Sequence, residues 1–166
     1  MGHCTVQAPG AHPRVARRRR DRRPQPASAP ALEVEQIEVP AGVVRVPTLQ
    51  EIARIKAWLC LLRNATRDYL DFVGLADVLG EPAAVEVVLG LDDYYSDQRG
   101  PGGIRVATQV AKQLAEPRPG DLDEVDLTAY RRFDRRWQDW GAVADACRRI
   151  AVLVLVRHVD RAGDDE

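Results

Sequence analysis

The residues best placed to do chemistry stand in the middle of the chain: Lys56, and eleven residues on, the run Arg67-Asp68-Tyr69-Leu70-Asp71. A lysine ammonium can hold a triphosphate as a point charge. Two carboxylates three apart on a helix share a face, toward a nucleotide or a basic partner. Phosphoryl transfer depends mainly on such positioning. The same residues also have a purely structural use. An acid in a first helical turn is favoured by the macrodipole, as Asp68 would be, and Arg67 can pair with Asp71 at i, i+4.

The elements that must position these residues follow from the flanking pattern. Thr48-Leu49-Gln50-Glu51 after Pro47 is a capping box, in which the Thr hydroxyl accepts from the N3 amide and Glu51 reaches back to the cap amide. It predicts a helix over Leu49 to Leu62, with Ile52, Ile55, Trp58, Leu59 and Leu62 as its buried stripe. After a break at Arg63-Asn64, a second helix is expected over 65–79. Its inner face is Tyr69, Phe72, Val73, Ala76 and Leu79, and Gly80 is its stop. The short break implies an antiparallel helical hairpin, with Lys56 and the Arg67-to-Asp71 run on its two arms.

Upstream, Val34, Ile37 and Val39, the turn Pro40-Ala41-Gly42, and Val43-Val44-Arg45-Val46 read as a short β-hairpin or two edge strands. Downstream, Pro82 suits the first turn of a third helix reaching roughly to Tyr95. Gly100-Pro101-Gly102-Gly103 forces a loop, and a fourth helix spans about Ile104 to Ala115. An acidic linker follows Pro117-Arg118-Pro119-Gly120. A long last helix from Trp137 to His158 carries Trp140, Val143, Ala144, Cys147, Ile150, Ala151, Val154 and Leu155 toward a core. The fold class is therefore α+β and predominantly α: a β-hairpin, a helical hairpin and a bundle-like C-terminal part. The expected organisation is a tail over 1–30, one domain over 31–160 and a short tail over 161–166.

From Arg45 to Leu75 the sequence resembles the abortive-infection nucleotidyltransferase toxin family, AbiEii. In the helical half of that family a lysine is followed by Arg-Asp-x-x-Asp, a pattern that Lys56, Arg67, Asp68 and Asp71 match. The resemblance covers about a fifth of the chain. It implies nucleotide contacts at Lys56 and Arg67, Asp68 and Asp71 as candidate catalytic acids, and Mg2+ with a nucleoside triphosphate as cofactors if the site survives. The family's glycine pair and Asp-x-Asp on strands have no counterpart upstream of Val43, so no metal ligand is assigned. Gly102-Gly103 and Asp121-Leu122-Asp123 repeat that signature in the wrong order, and Asp121, Asp123, Glu124 and Asp126 read as a solvated linker. The expectation is a truncated nucleotidyltransferase-like protein without transfer activity of its own. The alternative is a helical interaction or antitoxin-like module, with a cognate protein or a second copy as partner.

Composition bounds the rest. Residues 1 to 30 hold seven arginines against Asp21 alone, while the remainder has 17 basic and 24 acidic residues. The globular part is mildly acidic, which argues against a broad nucleic-acid face on it. The run from Arg17 to Arg23 could contact nucleic acid without sequence preference, or serve as a solvated, disordered tail. Cys4, Cys60 and Cys147 have no paired spacing and suit reduced thiols. His3, His12 and His158 have no partner at a triad spacing. Tyr94-Tyr95 and Trp137/Trp140 suit a core better than base stacking. The longest apolar run, Ile150 to Val156, is far short of the roughly 20 residues a bilayer needs, and no signal-peptide core is present, so the expected location is cytoplasmic.

Overall fold

The computed structural model describes residues 30–131 and 133–163. The arginine run and the other expectations for residues 1–29, and those for 164–166, lie outside them.

Strands β1 (Val34–Val39) and β2 (Gly42–Pro47) form an antiparallel hairpin in which Ile37 faces Val44 and Glu35 faces Val46. Gly42 closes the turn at φ 130°, a backbone value that a residue with a Cβ rarely adopts. Five helices of ordinary length and one short one follow: α1 (Leu49–Leu62), α2 (Thr66–Leu79), α3 (Glu81–Leu89), the short α4 (Leu91–Tyr94), α5 (Val106–Ala115) and α6 (Trp140–Gly163). Three-residue and four-residue 3-10 turns punctuate the segment between α5 and α6. The α+β, mainly helical fold class expected from the sequence is the one observed.

The bundle is built on α6, which lies along α5 and also meets α3 and α2, while α1 packs on α2, α3 and α5. Tyr69, Leu70 and Phe72 of α2, Val88 of α3, Leu91 of α4, Val110 and Leu114 of α5, and Val143 and Val154 of α6 fill the centre. The rings of Tyr69 and Trp140 meet edge to face, 5.8 Å between centroids.

Several expectations need correction. The buried stripe of α1 is Ala53, Ala57 and Cys60, not the larger apolar residues. Ile52, Ile55, Trp58 and Leu59 are half-buried and Leu62 is exposed. Small side chains at i, i+4, i+7 let α1 approach its neighbours closely, so the bulkier residues end up on its flanks. The third helix is interrupted at Gly90, between α3 and α4. Trp137 belongs to the 3-10 turn Arg135–Gln138 rather than to α6. At its other end α6 runs past residue 161 to Gly163.

The capping box at Thr48 is half realised. The Thr48 hydroxyl accepts from the Glu51 amide at 3.1 Å, but the Glu51 carboxylate turns to Arg54 and to the Glu33 amide. Glu51 and Arg54 are both buried. Arg54 also reaches Glu33 at 3.2 Å and lies 3.6 Å from the centroid of the Tyr94 ring, whose hydroxyl donates to Glu33 at 2.6 Å. This cluster ties β1, α1 and α4 together.

Candidate functional site

The antiparallel pairing of α1 with α2 brings together the four residues singled out by type and spacing. Asn64 makes the turn between them at φ 49°, a left-handed value that Asn tolerates better than most residues. Its side chain donates to the Arg118 carbonyl at 2.7 Å and accepts from the Tyr69 hydroxyl at 2.6 Å and from Gln113 at 2.8 Å. The hairpin is thereby locked to α5 and to the loop after it.

Lys56 Nζ stands 2.7 Å from Asp71 and 3.1 Å from Asp68. Partial burial alone would lower the lysine pKa, but the hydrogen bonds Lys56 donates to Asp71 and Asp68 outweigh it and the net shift is upward. Asp68 is 3% exposed, and the Lys56 ammonium is its ion-pair partner. Arg67 lies 3.8 Å from Asp71 and points largely into solvent. All four residues share one cluster, and its cation is held between two carboxylates.

Beside the cluster is an open groove of about 490 Å³. Ile52, Leu75, Val78, Phe133 and Trp137 supply its apolar walls, and Lys56, Asp71, Asp77 and Asp134 its polar points. Gly74 sets its shape. A Cβ there would stand 2.8 Å from a Phe133 ring carbon, so only glycine lets that ring lie against α2. Arg136 pairs with Asp77 and stacks over Trp137 at 4.4 Å, which fixes the 3-10 turn to α2. A glycine inside a helical pattern is a signal of close approach. Phe133, in an irregular segment, left no signal in the sequence.

Asp121 is not part of a solvated linker as its sequence context suggests. It instead accepts from the amide and the hydroxyl of Thr66, both at 2.7 Å, and so caps α2, whose own N-cap, Ala65, has no side-chain oxygen. These bonds from Thr66 hold the Asp121 carboxyl below its usual range. Tyr95 stacks on Trp58 at 4.7 Å, and Trp137 is buried. Cys60 and Cys147 are buried and unbridged. Burial drives both thiols upward, Cys147 to about 12. Among the described residues no group of three or more His, Cys, Asp or Glu side chains is placed to hold a metal ion. No helix among them is long and apolar enough to cross a membrane.

No family model and no solved structure matches the chain. Over 125 residues it is 34% identical to the Heme uptake protein MmpL11 of Mycobacterium tuberculosis (strain ATCC 25618 / H37Rv), a match covering 75% of this chain and 12% of the relative. It is 32% identical over 125 residues to the Mycolic acid-containing lipids exporter MmpL11 of Mycolicibacterium smegmatis, covering 75% of this chain and 13% of that protein. The Probable transport protein MmpL11 of Mycobacterium leprae is 33% identical over the same length. The chain is similar to MmpL11 transport proteins. It spans about an eighth of the length of the curated relatives it matches.

That likeness covers three quarters of the chain and overturns the AbiEii resemblance, which rested on a fifth of it. The truncated nucleotidyltransferase, the toxin–antitoxin setting and the antitoxin-like interaction module fall with it. A lysine between two carboxylates across a helical hairpin also fixes the two helices to each other, so the motif by itself does not assign a chemistry. Lys56, Arg67, Asp68 and Asp71 lie together, and with the resemblance gone only their residue types point to a nucleotide.

Proposed function

We propose that this chain serves a membrane transport system of the MmpL11 kind, as a folded helical module that lies outside the membrane-crossing path. The observation that carries the reading is the 34% identity over 125 residues to transport proteins of which those residues are 12%. The bundle's lack of a bilayer-spanning helix among its described residues gives the module a role other than lining the passage.

The relatives' names point to heme uptake in one case and to export of mycolic acid-containing lipids in another, cargoes with a large apolar body. The groove beside Lys56 is the surface this reading assigns to such a body. Its volume falls within the usual range of small-molecule sites, and Phe133 and Trp137 supply aromatic contact. In this reading the module faces the cytoplasm, where the unbridged Cys60 and Cys147 stay reduced.

The test is interchange. The matching stretch of the M. smegmatis exporter is replaced by this chain's residues, and lipid export is measured in cells lacking the native protein. Export retained by the chimaera supports the module reading. Export lost from a chimaera present in the membrane at the normal level overturns it. Val78→Asp in the working chimaera then separates groove from scaffold: reduced export with unchanged membrane level assigns the groove to cargo.

A further inference from the structure

Two hollows meet at Phe133. It lines the groove beside Lys56, and it also lines a second hollow of about 350 Å³ bounded by Arg67, Ala129, Tyr130 and Arg131. Tyr130 meets Phe133 edge to face, 6.2 Å between centroids, so the aromatic pair stands where the two hollows adjoin. On the α2 side they are joined by an ion pair. Asp71 lines the groove, Arg67 lines the hollow, and the two side chains lie 3.8 Å apart.

The two hollows differ in which charges are already taken. In the groove each charged side chain has a partner. Lys56 sits between Asp68 and Asp71, Asp77 pairs with Arg136, and Asp134 accepts from the Arg136 amide and lies 4.0 Å from its guanidinium. What the groove offers a ligand is therefore the apolar surface of Ile52, Leu75, Val78 and Trp137. The second hollow is the reverse. Its charged lining is two arginines, with no carboxylate among the lining residues. The Arg67 side chain is 72% exposed, and its one ion pair among the described residues is the long contact to Asp71, a carboxylate that Lys56 already engages at 2.7 Å. Arg131 is exposed and has no ion pair or side-chain hydrogen bond among the described residues. Guanidinium groups in this state bind carboxylate or phosphate oxygens, often two at a time.

We propose that groove and hollow form one site for an amphiphile with an anionic head. Its hydrocarbon body lies in the groove against Leu75, Val78 and Trp137, passes Phe133, and its carboxylate or phosphate head meets Arg67 and Arg131. The proposal rests on the reading that the groove takes an apolar body, and adds to it the sign of the head group and the two residues that select it.

Equilibrium dialysis of the full chain at neutral pH tests it, against labelled decanoate, decyl phosphate, decanol and decylamine, each below its micellar range. The expected result is saturable binding of at least one of the two acids, tighter than that of decanol or decylamine. Arg67→Gln and Arg131→Gln each weaken the acid by about fivefold, the upper end for an exposed ion pair, and leave decanol unchanged. Val78→Asp weakens acid and decanol alike, with unchanged helical circular dichroism. Acids held no better than decanol, or arginine variants that bind them like wild type, overturn the head-group assignment and leave the groove reading standing. Decylamine bound more tightly than the acids also overturns it, by reversing the sign of the preferred head. A chain that retains none of the four probes overturns the groove reading together with the proposal. Such a chain pelleting with phosphatidylglycerol vesicles, and less so after Arg131→Gln, assigns the arginines to a membrane surface instead.

Discussion

Asp121 and Thr66 are 55 residues apart in sequence, yet the Asp121 carboxylate accepts from both the amide and the hydroxyl of Thr66 at 2.7 Å and caps α2 from outside its own helix. The α2 residues of the candidate cluster begin one position later, at Arg67. The loop after α5 therefore determines how firmly the start of that helix is held.

Asp121→Ala should cost about 1 kcal/mol of stability, the usual worth of a helix cap, with Asp121→Asn costing less because one acceptor remains. The folded-state pKa of Asp121 lies below its usual value. Its contribution is then present above the ordinary aspartate range and is lost as pH falls through the lower folded value. Urea unfolding of both proteins against pH checks this. The gap between wild type and Asp121→Ala should be constant from neutral pH to the ordinary aspartate range and close below it.

Lys56→Met leaves Asp68 and Asp71 facing each other without their shared cation, and Asp68 is almost wholly buried. A loss of about 2 kcal/mol is expected, less than for a fully buried pair because Lys56 is partly open to solvent. Adding Asp68→Asn should recover most of it. Urea unfolding of the single and double variants checks both.

Gly74→Ala places a methyl 2.8 Å from the Phe133 ring. In the wild-type background the substitution should destabilise, because the ring must leave α2. In a Phe133→Ala background the clash is gone and alanine's helix propensity should stabilise the protein by up to about 1 kcal/mol. A cycle of the two substitutions, read by denaturant unfolding, checks the change of sign.

Cys60 and Cys147 should resist alkylation at pH 8 in the folded protein, since burial pushes both thiols upward, Cys147 to about 12. Peptide mapping after timed iodoacetamide treatment should show both modified only at the rate of global unfolding. Fast labelling of either one in the native state would contradict their place in the core.

Part of this protein can be read from local pattern. The β-hairpin, the bounds of α1 at Leu49 and Leu62, and the stops at Asn64 and Gly80 follow from caps, turns and periodicity, which act over a few residues. So did the antiparallel pairing of α1 with α2, because a short break between two helices leaves them little other choice, but the seating of Lys56 between Asp68 and Asp71 is seen only in the packed hairpin. What those residues are for did not follow, since a four-residue motif serves equally to fix a hairpin.

Tertiary structure decided the rest wherever a side chain had competing partners. Glu51 could cap α1 or pair with Arg54, and the burial of both under Glu33 and Tyr94 selected the pair. The face of α1 turned inward was set by close helix packing on Ala53, Ala57 and Cys60, which outweighed the burial of larger residues. Asp121 became a cap and Phe133 a groove wall because distant segments came within hydrogen-bonding and van der Waals range. Periodicity records which residues prefer to leave water, whereas the choice among partners depends on distances that exist only once the helices have packed.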